Sequence, residues 1–182
     1  MAKTIVFTFG RFAPPTIGHQ KLVTKVVETA RSRQAHHTVY LSQSYDNTRN
    51  PLEWDFKRRV CEAAFKGVNI SHDAAIRSPF MALNSFFGIY ENAVLVVGQD
   101  QVPEFEDRML EYAGINGINL EVISAGDRIV ESEGVEGISA TKMRQYAAEG
   151  NKTAFYENLP TTLNMSIKHL VYRNTVKGLK SW

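Results

Sequence analysis

Short apolar, β-branched runs alternate along the chain with longer segments whose apolar residues return every third or fourth position. Lys3 to Phe9, Thr38 to Ser44, Val68 to Ser71, Ala93 to Val97 and Asn119 to Ser124 read as strands. Ala93 to Val97, five apolar residues closed by Gly98, reads as the central one. Leu22, Val23, Val26, Val27 and Ala30 form the stripe of an amphipathic helix beginning near Gly18 or His19. A second helix is expected over Leu52 to Lys66, with Phe56, Val60, Ala63 and Ala64 on one face, and a third from Pro79 to Tyr90. Val102 to Tyr112, Ser139 to Glu149 before Gly150, and a segment around Leu163, Ile167, Leu170 and Val171 complete the helices. Parallel strands need crossover connections, so this alternation predicts an α/β fold: a doubly wound, Rossmann-like parallel sheet with helices on both faces. Ligands of such sheets bind beyond the carboxyl ends of the strands. The loops expected to converge there are the one after the first strand, Ser42 to Pro51, Gly98 to Gln101 and Ala125 to Ser139.

Composition narrows this picture. A chain of 182 residues, 43% hydrophobic and 22% charged, is long enough for a proper core and too apolar for disorder. One domain over residues 1–182 is expected, with 151–182 a helical extension. The net charge of +2 is too small, and too evenly spread, to indicate nucleic-acid binding. Cys61, the sole cysteine, cannot form an internal disulfide and fits a core position. With no leader pattern and no apolar run of membrane length, a cytoplasmic protein is expected. Neither a dinucleotide fingerprint nor a P-loop occurs, and His36, His37, His72 and His169 form no metal-ligand pattern.

The chemistry is concentrated in two helix starts. Gly10-Arg11-Phe12-Ala13-Pro14-Pro15-Thr16-Ile17-Gly18-His19 joins the first strand to the first helix. Gly10 and Gly18 permit close backbone approach, the prolines stiffen the turn, and the helix start presents amide donors and the positive end of a dipole to an anion. Thr16 and His19, three residues apart, face one way if both lie in the first turn, and Arg11 adds a permanent charge. More than a hundred residues later, Ser139 is a good N-cap, Thr141 lies in the first turn, and Arg144 falls on the face of Thr141. Lys142 adds charge beside them.

The first stretch resembles, at every defining position, the Gly-x-Phe-x-Pro-x-(His or Thr)-x-Gly-His signature of the nucleotidylyltransferase superfamily, with Thr16 as the threonine form. Ile138 to Arg144 resembles its second signature, Ile-Ser-x-Thr-x-x-Arg. The resemblance covers about residues 3–150 and implies in-line attack of an acceptor oxygen on the α-phosphate of an NTP, with pyrophosphate leaving and no covalent enzyme intermediate. It implies that Thr16 and His19 contact the α- and β-phosphates and that Arg144, with Ser139 and Thr141, holds the departing pyrophosphate. Gly10, Arg11, Phe12, Gly18 and Lys142 join the nucleotide-binding set, and Gly98 and Asp100 resemble the family's Gly-x-Asp segment near the ribose. Magnesium is implied as an ion carried by the NTP phosphates, with no direct protein ligand.

Gly10-Arg11-Phe12, Thr48-Arg49-Asn50-Pro51-Leu52 and the basic helix with Lys57, Arg58 and Arg59 resemble the archaeal-type nicotinamide mononucleotide adenylyltransferases. That likeness implies ATP as nucleotide, a phosphorylated acceptor, a place in NAD biosynthesis, and Arg49, Asn50, Trp54 and Arg58 as acceptor contacts. Trp54 could stack on a base, but a tryptophan in an amphipathic helix is more often a core residue. Thr16 departs from the histidine usual there and is similar to phosphopantetheine adenylyltransferases, while Glu136 to Lys142 is similar to glycerol phosphate cytidylyltransferases. A non-catalytic nucleotide sensor or structural protein is the alternative from another class. Small-molecule substrates are the expected partners, without nucleic acid or membrane, and a homo-oligomer stays open.

Overall fold

The structure, a computed structural model, describes residues 2–126 and 139–180. Its strands are β1 (Thr4–Gly10), β2 (His36–Leu41), β3 (Asn92–Val97) and β4 (Asn119–Ser124). Helices α1 (Ile17–Ser32), α2 (Trp54–Ala64), α3 (Pro79–Phe86), α4 (Val102–Ile115), α5 (Ala140–Glu149), α6 (Lys152–Glu157) and α7 (Met165–Lys180) separate or follow them. The sheet order is β2-β1-β3-β4. β1 and β3 run parallel with Ile5 opposite Ala93 and Phe7 opposite Leu95, and β3 and β4 run parallel with Val96 opposite Ile123. This is the Rossmann-like α/β sheet expected, with β3 an interior strand.

Several elements differ from expectation for local reasons. Val68 to Ser71 is no strand but one parallel bridge, Ile70 to Val39, flanked by Val39 N–H to Asn69 O (2.9 Å) and Ser71 N–H to Val39 O (2.9 Å). The Asn69 side chain turns back to His37 O and Thr38 Oγ1, which ends the pairing there. α3 stops at Phe86 and not Tyr90, because Phe87 leaves helical geometry (ψ 131°) and Gly88 sits at φ 79°. The short helix α6 is not evident in the apolar spacing; Asn151 caps it by accepting from Ala154 N–H at 3.2 Å. On α2 the buried stripe is Lys57, Val60, Cys61 and Ala64, a rotation from the Phe56 and Ala63 face.

Contacts divide the chain into two interleaved units. The first comprises the described residues of Met1–Phe9, Lys21–Tyr40 and Val68–Arg128. In β1 Ile5, Val6, Phe7 and Thr8 are all buried, as are Ala93 to Val97 in β3, so both faces of these strands are covered. On one face Ile5, Phe7, Leu95 and Val97 pack with Leu83 and Phe86 of α3 and Met109 and Ala113 of α4. Phe7 meets Phe86 edge-on at 5.0 Å. The buried Thr8 hydroxyl is satisfied by donating to Val96 O at 2.7 Å.

The second unit comprises Gly10–Gln20, Leu41–Gly67 and the described residues of Ile129–Trp182. Here α5, α6 and α7 pack on one another, with buried Phe155 edge-on to Tyr172 at 5.3 Å. α7 approaches the loop before α2 so closely that a Cβ on Gly178 would lie 1.8 Å from Pro51 O. Cys61 is free and buried, as its place in the stripe suggests.

Candidate active site

The chain leaves β1 at Gly10 into a turn whose conformation is set by its own side chains. Phe12 adopts φ 49°, an uncommon backbone for a bulky residue, and is fully buried. Its ring lies over Gly10, where an added Cβ would come within 2.7 Å of Phe12 Cε2, and stacks on His19 with centroids 4.4 Å apart. Gly10 is thus required by the Phe12 ring, and Phe12 backs His19 with its side chain sealed from solvent.

Thr16 is the N-cap of α1, with Ile17 as the first helical residue. Its Oγ1 accepts from His19 N–H at 3.3 Å, and His19 Nδ1 accepts from Thr16 N–H at 3.0 Å. The pair is a reciprocal capping box with histidine in the place of glutamate. A backbone N–H can only donate, so Nδ1 is the acceptor and the ring proton belongs on Nε2. Ile17 N–H is taken by Asn158 O at 3.0 Å. Two of the first-turn amides are therefore committed within the protein, and Gly18 N–H takes no acceptor among the described residues. The helix start offers fewer donors to an anion than its sequence suggests.

α5 brings the second motif to the first. Ser139 caps it, its Oγ accepting from Lys142 N–H at 3.2 Å. Arg144 donates through Nη2 to Thr141 Oγ1 (3.2 Å) and through Nη1 to Ala13 O (3.1 Å), a bond across 131 residues. Burial pushes the Arg144 guanidinium down, the charges of Arg11 and Arg49 push the same way, and Asp46 opposes them. Arg11 and Arg49 thus lie near enough for their charges to act on Arg144. Lys142 reaches along its own helix instead, its ammonium 5.9 Å from the Tyr146 ring centre. Glu136, Gly137 and Ile138 of the second motif lie outside the described residues.

The loop after β2 is organised by Asp46. Its Oδ1 accepts from Thr48 N–H and Oγ1–H (both 2.9 Å), Arg49 N–H (2.6 Å) and Asn50 N–H (3.2 Å), while Oδ2 accepts from Asn50 Nδ2 at 2.7 Å. The Asn50 side chain and the Arg49 amide hold the Asp46 carboxyl well below the usual carboxylate range. Arg49 is exposed at the tip; Asn50 is buried, with its Oδ1 lacking a hydrogen-bond partner among the described residues. Trp54 is half-buried with the Arg58 guanidinium 5.8 Å from its ring, and Arg58 is also bound to Asp55 and Glu62 of its own helix.

Lys57, counted from sequence with a basic surface, is buried: Nζ donates to Arg11 O at 2.7 Å and Ser42 O at 2.6 Å. Burial pushes its ammonium down to about 8. Its spacing to Cys61 and Ala64 is the signal that places it on the inward stripe. Gly98 and Asp100 belong to the first unit. Asp100 folds back over Gly98, whose added Cβ would lie 3.0 Å from Asp100 Oδ1, in a tight turn closed by Gln101 N–H to Gly98 O at 2.9 Å. Among the described residues no group of three or more metal-ligating side chains occurs, and no helix is long and apolar enough to cross a membrane.

Residues 7–146, most of the chain, match the sequence profile described as cytidylyltransferase-like. The chain belongs to the cytidylyltransferase-like family. Both helix-start motifs fall within the matched span. No curated protein matches the sequence. Among solved structures, this cytidylyltransferase-like chain is similar to a putative nicotinate-nucleotide adenylyltransferase from Vibrio parahaemolyticus (TM-score 0.59, 14% identity, covering 93% of this chain and 98% of that one). It is also similar to Plasmodium falciparum nicotinic acid mononucleotide adenylyltransferase complexed with NaAD (0.61, 13%, 94% and 98%). A third is a bifunctional NMN adenylyltransferase/ADP ribose pyrophosphatase from Francisella tularensis complexed with AMP and a Mn ion (0.57, 14%, 97% and 52%). At these identities the likeness shows the fold.

Proposed function

We propose that this cytidylyltransferase-like protein is an adenylyltransferase that moves AMP from ATP to a phosphorylated acceptor such as nicotinamide mononucleotide. The observation that supports this reading is the bond from Arg144 to Ala13 O, which ties the second motif to the loop of the first, with the charges of Arg11 and Arg49 near enough to act on Arg144. An acceptor phosphate oxygen attacks the α-phosphorus in line, the bond to the bridging oxygen breaks, and pyrophosphate departs with that electron pair. Such chemistry asks for positioning and charge neutralisation in place of a nucleophilic side chain. His19 donates from Nε2–H to a phosphate oxygen. Arg144, which spends two of its five donors on the described residues, grips the β,γ end. Arg49, on its stapled loop, takes the acceptor phosphate. A magnesium ion carried by the nucleotide would supply charge neutralisation on the triphosphate, and Asp46 would not be its ligand, because the Asp46 oxygens already accept from five donors. The adenylyltransferase neighbours support ATP as nucleotide. Pyrophosphate release, followed with each NTP against a panel of phosphorylated acceptors, tests the reading: turnover with ATP and a mononucleotide is expected, and absence of release with every pair sinks it.

A further inference from the structure

We propose that Lys57 is a positioning residue of this site: its buried ammonium fixes the main chain at Arg11 and thereby, through Phe12, the ring of His19. The inference rests on the adenylyltransferase reading for its effect on rate, though not for the geometry.

Lys57 lies in the second turn of α2 with no exposed surface, and its Nζ is held by two main-chain carbonyls. Both belong to chain leaving a strand. Arg11 O follows β1, Ser42 O follows β2, and Ser42 N–H itself donates to Gly10 O at 2.8 Å. One ammonium therefore crosslinks the two exits where the backbone ladder ends. A carbonyl turned onto Lys57 fixes the plane of the Arg11–Phe12 peptide, because that bond is planar. Phe12 then takes φ 49°, which places its ring over Gly10 and against His19. Without a fixed peptide plane before it, a phenylalanine at that φ relaxes to the common regions of backbone space, and the stack on His19 goes with it.

A lysine filling space would not need an ammonium here. Methionine or leucine would close a helix stripe of Val60, Cys61 and Ala64 without burying charge. The charged neighbours do not explain it either. Arg11, from the turn, disfavours the charge, the Cys61 thiol one turn along α2 is kept neutral by burial, and no carboxylate among the described residues acts as counterpart. What the ammonium gains is two short charge-assisted bonds to carbonyls, each on a loop that carries a site residue.

The test is Lys57→Met, of similar length and without donors, studied by nitrogen NMR of the histidine rings. In the wild type His19 is expected as a single Nε2–H tautomer; in a folded Lys57→Met variant its ring nitrogens should move toward the averaged shifts of a mixture, and turnover should fall at least tenfold. Unchanged His19 shifts in a folded variant overturn the proposal. Should the variant fail to fold, the wild type is titrated from pH 7 to 10. A common midpoint for Lys57 Nζ and the Phe12 amide nitrogen supports the crosslink, and a Phe12 amide that ignores the Lys57 titration overturns it. A wild type that releases no pyrophosphate removes the transferase reading and leaves the His19 shift test standing.

Discussion

Nδ1 of His19 is committed to the Thr16 amide, so whatever the ring does for a bound phosphate it does from Nε2. His19→Ala is therefore expected to cut turnover about a hundredfold or more, the usual cost of one transition-state donor. The capping box loses one reciprocal bond, a stability cost of about 1 kcal/mol. Retained turnover in that variant would remove His19 from the mechanism. Arg144 divides its effects differently. If its planar fork grips charge that builds on the leaving group, Arg144→Lys keeps the charge, loses the fork, and lowers kcat more than it weakens NTP binding. Equal losses in kcat and affinity would reduce it to an anchor, and no loss would leave it a surface residue. Lys57 supplies a pH signature of its own. Its ammonium titrates near 8 in the fold against an ordinary 10.5. Between those values the unfolded chain holds more protons on this group, so its contribution to stability rises with pH across that window. Below pH 8 the fold bears the full burial cost, about 3 kcal/mol. Urea unfolding at pH 7.5 and pH 10 should therefore show the wild type gaining on Lys57→Met; Tyr40, which burial pushes up, acts on both proteins and cancels in the difference. Parallel pH profiles would show that Lys57 is not the source.

Elements carry these residues, and α7 carries more than its sequence discloses. Gly178 lies within the helix, where glycine ordinarily weakens it, and its justification is the Pro51 carbonyl against which it packs. Gly178→Ala improves helix propensity by about 1 kcal/mol. It also drives a methyl into backbone that has no rotamer to yield, so a net loss of about 3 kcal/mol is expected from the denaturant midpoint. A neutral or stabilising alanine would mean that α7 does not pack against the Pro51 carbonyl. The same contact separates what was legible in the sequence from what was not. β1, β3, β4 and the long helices followed from apolar periodicity, because burial on a sheet face or helix stripe imposes it locally. The caps Thr16 and Ser139 followed from type and spacing, since a helix start needs a hydroxyl acceptor. Hidden were the features set by partners distant in the chain, Lys57 turned inward by carbonyls of two other loops and Gly178 required by Pro51, and the one set by an uncommon backbone angle, Gly10 required by the ring of Phe12. The order of the strands, with β1 between β2 and β3, was likewise not written in any single segment.

The whole molecule offers a test that does not depend on any substitution. The candidate phosphate-binding residues come from three stretches far apart in sequence, Gly10–Gln20, Leu41–Gly67 and α5, which fold as parts of one unit. A ligand held by all three cannot remain bound when that unit unfolds, so occupancy should appear as added stability of the fold. By mass action a nucleotide with magnesium at a hundred times its dissociation constant adds about 2.7 kcal/mol. ATP is expected to give this stabilisation at lower concentration than CTP, GTP or UTP. A clear preference for CTP would move the protein to cytidylyl transfer, and no response to any NTP would remove nucleotide binding altogether. Transferase and non-catalytic sensor then separate in time. In a sensor the stabilisation by ATP is constant once reached, whatever phosphorylated compound is added. In a transferase the true acceptor makes it change as ATP is consumed, at the rate at which pyrophosphate accumulates, and the melting temperature settles at the value set by the products. Thermal unfolding sampled during such an incubation, with pyrophosphate measured in the same tubes, distinguishes the two: matched rates identify turnover, and a constant melting temperature without pyrophosphate across the acceptor panel identifies a protein that only holds its nucleotide.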